Sequence, residues 1–356
     1  MRSLAPANRL LTDLERGVAI DARALRAAMI ASFGASDAEG AWDWKTAYEA
    51  CEAAQILFLR KFGPAMRERA ASPSRFLAML TKLAALLPSH TRRSEESQAL
   101  QQFSTPIGLG FVSGTAAAIT PADLVLEPSA GTGLLAIHAE LAGGSLVLNE
   151  IADTRADLLD RLFPPVSVTR YDAAYIHDHL DAGIRPSVVL MNPPFSAAAH
   201  VDGRVADAAL RHISSALARL ADGGRLVAIT GASLSPDNPA CPDSFARLQE
   251  RGRVVFSAAV DGRVYARHGT TTETRLTVID RVPADDTASF PASPGMAGDT
   301  PTLLDWVIRH VPARAAVAVA PAIARVVARV TTRTSTPQAR CKRNHRAERN
   351  DAAADP

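Results

Sequence analysis

Leu124-Val-Leu-Glu-Pro-Ser-Ala-Gly-Thr-Gly133 is the stretch on which the reading of this chain turns. Leu124 to Leu126 is short, apolar and followed by a turn, the pattern of a strand buried in a parallel sheet. Gly131 and Gly133 let the backbone turn sharply and approach a ligand closely. Leu134 to Leu141 then reads as a helix packing back on the sheet. A second apolar run, Leu146-Val-Leu-Asn-Glu150, ends on a carboxylate. Glu150 stands 19 residues after Gly131, near the ~20-residue spacing at which an acidic residue meets a ribose in doubly wound folds. A third run, Val188-Val-Leu-Met-Asn-Pro-Pro-Phe195, ends in a proline-stiffened loop. The first loop lacks the third glycine and the lysine of phosphate-binding motifs, which argues against a dinucleotide or a triphosphate. Glu127 favours a ligand with a cationic end. The ordered set of strand, acid, glycines, helix, strand and acid reads as a nucleotide-like cofactor site with a catalytic loop beside it.

These residues resemble the motifs of S-adenosylmethionine-dependent methyltransferases. Glu127-Pro-Ser-Ala-Gly-Thr-Gly133 is similar to their first motif and Asn149-Glu150 to their second. Asn192-Pro-Pro-Phe195 resembles the catalytic motif of the amino-methyltransferases, especially the N6-adenine DNA enzymes. Gln102-Phe-Ser-Thr-Pro106 resembles the element that opens the cofactor site in enzymes whose cofactor motifs precede the catalytic one. The likeness covers roughly Gln101 to Asp280. A closer one is to the methyltransferase-like region ahead of the helicase in bacterial strawberry-notch-type proteins, although no helicase follows here. The resemblance implies an α/β, Rossmann-like methyltransferase fold, with a mostly parallel seven-stranded sheet and an antiparallel final hairpin. It implies S-adenosylmethionine as cofactor, held by Thr105, Pro106, Glu127, Pro128, Ser129, Ala130, Gly131, Thr132, Gly133, Asn149, Glu150, Asp172 and Ala173. Asn192, Pro193, Pro194 and Phe195 are the implied catalytic residues, and no metal is implied.

Composition sets wide bounds. The 356 residues are 47% hydrophobic and 21% charged, an ordinary globular balance. A net charge of +2 demands neither nucleic acid nor an acidic partner. Cys51, Cys241 and Cys341 are too far apart for a zinc motif and odd in number, against a disulfide framework. No apolar run reaches membrane-spanning length and no signal-peptide pattern opens the chain, so the expectation is a cytoplasmic protein without a membrane partner.

Three regions follow. Residues 1–100 read as helical. Asp43 is placed to cap a helix carrying Trp44, Tyr48, Cys51, Phe58 and Phe62, with Gly63-Pro64 as its end; Ser72-Pro73 opens the next. The plain reading is a packing region and the sharper one a lid or substrate-recognition module. His90 to Glu96 reads as a linker. Residues 101–281 form the methyltransferase-like domain. Within it, Pro165 to Asp172 reads as a strand, and Asp172 either holds the adenine amino group or caps the next helix. His177-Asp-His179 reads as solvated surface rather than a metal site. Arg253 to Val260 and Thr274 to Asp280 read as the closing antiparallel strands. Tyr265, Arg267 and His268 lie between them, in a substrate-facing loop or a plain hairpin connection. Residues 282–356 read as a low-complexity, weakly ordered basic tail, with one short helix over Thr302 to Arg309. A phosphate-contacting arm, or a truncated or frameshifted end, is the other account of it.

The second loop explains why methyl transfer to nitrogen is expected. An exocyclic amino nitrogen conjugated to a base ring is a poor nucleophile, because its lone pair is delocalised. Accepting hydrogen bonds from its two N–H groups favours a more pyramidal, more reactive nitrogen. The Asn192 side-chain oxygen and the Pro193 carbonyl are the expected acceptors, and Phe195 offers a face for stacking on a flipped base. The Phe-Ser-Thr-Pro element and the Phe195-Ser196 continuation favour N6 of adenine in DNA. The alternatives are a protein glutamine or RNA guanine amino-methyltransferase, or an inactive cofactor-binding module of a helicase-associated assembly. No sequence-reading domain is evident after Asp280, so a partner supplying recognition or helicase activity is expected with DNA. The oligomeric state is open.

Overall fold

The structure is a computed structural model that describes residues 4–90, 104–194, 205–238, 241–315 and 317. The apolar runs become strands β1 (Leu124–Glu127), β2 (Ser145–Asn149), β3 (Val168–Thr169), β4 (Val188–Met191) and β5 (Arg225–Gly231). β6 (Arg253–Val260), β7 (Thr274–Asp280) and β8 (Met296–Ala297) complete one eight-stranded sheet, in the order β3-β2-β1-β4-β5-β7-β6-β8. The first five strands of that order run parallel, and β7 lies antiparallel between β5 and β6. The chain moves outward from β1 to β3, then returns to pair β4 on the other side of β1. Reversal of strand order at β1 and β4 opens a crevice at their carboxyl ends, where ligands bind in open α/β sheets.

Alternation along the strands loads both faces of the sheet. Val125, Val188 and Leu190 join one apolar cluster, whereas Leu126, Val189 and Met191 join the other. The first cluster also takes Leu10, Leu25, Met29, Leu59 and Leu80 from the N-terminal helices α1 (Ala5–Glu15), α2 (Ala22–Phe33), α3 (Trp44–Ala70) and α4 (Pro73–Ala85). The helical region and this face of the sheet therefore share one core. The caps fall where the sequence places them. Asp43 accepts a 2.7 Å bond from the Thr46 amide, and Ser72 accepts one of 3.3 Å from the Arg75 amide, with Pro73 in the first turn. Helices α5 (Ile107–Ala117), α6 (Ala136–Leu141), α7 (Asp153–Leu162), α8 (Ile176–His179), α9 (Val205–Arg219) and α10 (Pro242–Gln249) follow. No described helix is long and apolar enough to cross a membrane.

Several expectations need correction. Gly63-Pro64 does not end α3, which runs on to Ala70. A Cβ at Gly63 would come within 2.8 Å of Leu141, so this glycine lets α3 lie directly on α6. Close packing there overrides the helix-breaking signal. The third strand is only Val168–Thr169, because beyond it the Tyr171 backbone bonds the Asn149 side chain instead of a neighbouring strand. His177 and His179 lie on helix α8 and both are exposed, as the solvated-surface reading expects. Tyr265, Arg267 and His268 belong to a 3-10 helix, Gly262–His268, and Tyr265 is fully buried. The sheet has eight strands rather than seven.

Residues 282–315 are not a weakly ordered tail. β8 pairs parallel with β6 and covers its edge, and α11 (Thr300–His310) buries Leu303, Leu304 and Val307. Arg314 then pairs with Asp123, both side chains being less than a tenth exposed. The basic stretch from Thr332 onward lies outside the described residues.

Candidate active site

The site is assembled from the carboxyl ends of three neighbouring strands. Glu127 ends β1, Glu150 follows β2, and Asn192 follows β4. They line one cavity of about 260 Å³ together with Thr105, Pro128, Ser129, Ala130, Gly131, Thr132, Asp172, Ala173, Pro193 and Pro194. Most of the residues implied by the motifs thus converge, from segments separated by up to 87 positions. Phe195 lies outside the described residues, as do Gln102 and Phe103.

The glycine loop is shaped by its own amides. Gly131 has φ +57 and Gly133 φ +97, a left-handed region that disfavours side chains. A Cβ on Gly131 would meet only an Arg155 nitrogen at 4.0 Å, on the cavity wall. Gly133 has a different task and does not line the cavity. A Cβ there would lie 2.5 Å from the Phe163 ring, so the residue allows the loop to close on α7.

Glu150 accepts 2.8 Å and 2.9 Å hydrogen bonds from the amides of Gly131 and Ala152. Burial raises its pKa; the Ala152 amide, the Arg155 charge and the Gly131 amide oppose that rise. Glu127 is only 2% exposed, and burial holds its carboxyl well above the usual carboxylate range, with nearby Glu150 adding to the rise. Its Oε2 has no hydrogen-bond partner among the described residues. A buried carboxylate oxygen without a partner is costly. A ligand bringing a cationic donor to the cavity relieves that cost, which is the chemistry expected of a cationic cofactor.

Three implied residues are employed elsewhere. Asn149 is fully buried and does not line the cavity. Its Nδ2 donates to the carbonyls of Pro128 and Tyr171 at 2.8 and 2.9 Å, and its Oδ1 accepts from Thr169 and the Tyr171 amide, both at 2.8 Å. That uses the whole hydrogen-bonding capacity of an amide, so Asn149 knots the loops together rather than holding a ligand. Pro106 precedes α5 and lines a neighbouring cavity. Gly133 packs on Phe163, as above. Asp172 lines the cavity, and its Oδ1 caps the following 3-10 turn by accepting from the Ala174 amide at 2.9 Å.

The structure adds residues that the motifs did not supply. Ile151 lines the cavity while remaining 58% exposed, an apolar side chain left open beside Tyr171 and Ala173. Its signal was available, since it directly follows the acid of the second motif. Arg155 also lines the cavity, fastened by a 2.9 Å ion pair to the buried Glu49 of α3. No local pattern marks that pair. His212 of α9 also lines the cavity, its pKa lowered chiefly by burial.

Asn192 is approached from two sides. Its Nδ2 donates a 2.9 Å bond to Thr105 Oγ1, tying the catalytic loop to the upstream Ser-Thr-Pro element. The buried Tyr265 side chain lies near Asn192; burial raises the tyrosine pKa and the Asn192 side chain works against the rise. The 3-10 helix between β6 and β7 therefore reaches the loop after β4.

No family model and no curated protein matches this sequence. Among solved structures, a protein described as a class I S-adenosylmethionine-dependent methyltransferase from Listeria monocytogenes superposes with a TM-score of 0.51 at 11% identity, over 87% of this chain and 100% of that one. A protein described as the modification subunit of a type I restriction enzyme from Vibrio vulnificus gives 0.41 at 15% identity, over 61% and 50%. TrmN from Thermus thermophilus gives 0.38 at 17% identity, over 53% and 52%. The chain spans about half the length of these last two. The likeness to the Listeria structure, together with the strand order, establishes a Rossmann-like methyltransferase fold.

Proposed function

We propose that this chain binds S-adenosylmethionine in the cavity between β1, β2 and β4, and transfers its methyl group to N6 of adenine in DNA. The observation that carries the reading is the convergence of Glu127, Glu150 and Asn192 on one cavity, with the Glu127 oxygen buried and unpartnered among the described residues. When bound, the cofactor supplies an electrophilic methyl sulfonium. Glu127 suits its ammonium end. Glu150 already accepts two amide bonds, yet a carboxylate offers about four lone-pair sites and can still accept from ribose hydroxyls. Ile151, Tyr171 and Ala173 offer an apolar edge for a planar ring, with Asp172 as acceptor for its amino group.

At the other end of the cavity the chain's task is to hold a weak nucleophile in line. Thr105 fixes the Asn192 amide, and two prolines fix the carbonyl beside it. Such preorganised acceptors act where charge changes during reaction, without having to reorganise. Phe195 is assigned to stacking on the base. We further assign residues 101–281 to the catalytic domain and residues 1–100 to its helical support, with DNA recognition or strand opening supplied by a partner protein of the restriction or helicase type.

The test is incubation of the protein with methyl-labelled S-adenosylmethionine and separate DNA, RNA and protein pools. Label on DNA, recovered as N6-methyladenine, is the expected result. Label on glutamine in protein or guanine in RNA transfers the assignment to those substrates. Cofactor binding with no label on any pool identifies a non-catalytic module.

A further inference from the structure

Behind the glycine loop, Glu52 of α3 meets two histidines. His90 follows α4 and His268 ends the 3-10 helix between β6 and β7. One ligand atom from each of the three lies within 4.8 Å of the others. Three atoms no further apart than 4.8 Å enclose a point about 2.8 Å or less from each, and zinc-ligand bonds of ~2.0–2.2 Å need only sub-ångström closure of that triangle. The ligands are held in place. The His90 ring stacks on Tyr48 at 4.1 Å, and its backbone amide donates 2.8 Å to the Arg267 carbonyl. His268 Nδ1 is buried with no hydrogen-bond partner among the described residues. Glu52 is 1% exposed.

We propose that Glu52, His90 and His268 form a site for one divalent transition-metal ion, with zinc as the fitting occupant, that fastens the helical region to the sheet behind the cofactor loop. Two imidazoles and one carboxylate are a zinc-type donor set rather than one for calcium or magnesium. Carboxylates surround the site, although the Arg267 guanidinium acts on both histidines. The carboxylates of Glu49, Glu52 and Glu150 all act on a single buried guanidinium, Arg155. Lys45, the buried cation on the same helix, lies two turns away from Glu52, ~10 Å along the axis. His90 and His268 also border a cavity of about 330 Å³, which leaves room for water as a fourth ligand. None of this depends on the identity of the methyl acceptor, or on methyl transfer at all.

The experiment uses the full chain, prepared without a histidine tag, stripped with chelator and titrated with Zn²⁺ against a chromophoric competitor. One equivalent is expected to bind and to raise the melting temperature, because the ion binds the folded chain preferentially. His90→Ala, His268→Ala and Glu52→Gln should each weaken zinc binding by more than the ~10–100-fold that follows loss of a partner outside the ligand set. The double variant His177→Ala/His179→Ala, altered at an exposed histidine pair, should bind as wild type does. X-ray absorption of the zinc-loaded wild type needs no variant to fold, and should show two imidazoles with oxygen and no sulfur. Absence of a bound equivalent overturns the proposal. So does sulfur ligation, binding unaffected by the ligand substitutions, or loss of binding in the His177/His179 variant.

Discussion

The Thr132 hydroxyl donates a 2.6 Å hydrogen bond to the Glu52 carboxylate, linking residues 80 positions apart with both side chains buried. Thr132 sits between the two glycines of the cofactor loop, and Glu52 lies in the N-terminal third of α3. One loop residue away on the same wall, Arg155 is paired with Glu49. The N-terminal helices are therefore part of the scaffold of the cavity, and their loss would be felt at the glycine loop.

Thr132→Val keeps the shape of the side chain and removes the donor. A hydrogen bond to a charged group contributes ~1.5–3 kcal/mol, and its loss leaves Glu52 one partner short. The variant should melt at a lower temperature and bind S-adenosylmethionine more weakly, while Thr132→Ser should recover most of both. Thermal unfolding and calorimetry on the two variants check this. Wild-type behaviour of Thr132→Val would show that the contact carries no load.

Glu127 makes cofactor affinity depend on pH with a definite sign. Its carboxyl is held above the ordinary range by burial, so the empty site keeps its proton to higher pH than an exposed glutamate does. A cationic ligand favours the carboxylate and lowers that pKa in the complex. Binding then releases a proton between the bound and free values. Affinity should rise with pH through that window, by up to ~tenfold per unit, and level off above the raised value. Glu127→Gln should bind weakly and show no such slope. Calorimetry across pH, in two buffers of different protonation enthalpy, measures the released proton directly. Affinity that falls with rising pH in the window would contradict the assignment.

Tyr265→Phe removes the hydroxyl that acts on Asn192 without touching the cofactor cavity, which Tyr265 does not line. A polar contact of ~0.5–1.5 kcal/mol corresponds to a kcat loss of roughly 2- to 13-fold. The KM for S-adenosylmethionine should stay as it is. A raised cofactor KM with unchanged kcat would place the tyrosine's influence elsewhere.

The outline of the site was legible because its residue types are peculiar to strand-end loops. Glu127, Gly131, Glu150 and Asn192 each follow a buried apolar run, and the sheet brings those run ends together. What the sequence hid depends on partners far away in the chain. Thr132 reads as a loop residue until α3 places Glu52 against it, and Arg155 reads as a helix-surface cation until Glu49 buries it. Asn149 stands beside the second acid and shares its motif, yet its amide is consumed by three other loop residues. Gly63-Pro64 carries a strong stop signal that close packing on Leu141 overrides. The helix over Thr302 to Arg309 was legible and extends to Thr300–His310 behind its Asp299 cap, whereas β8 was masked by the Ala-, Pro- and Asp-rich run before it.

In the proposed reaction Glu127, Gly131 and Glu150 serve the methyl donor while Asn192 serves the acceptor. The direct measurement is paired calorimetry and single-turnover methylation of wild type and Asn192→Ala, on the substrate identified by labelling. Asn192→Ala should bind S-adenosylmethionine as wild type does and lose ~10²–10³ in the rate of methyl transfer, the usual cost of removing a preorganised polar contact. Normal turnover by a folded Asn192→Ala protein, or failure of the wild type to bind S-adenosylmethionine, would contradict it.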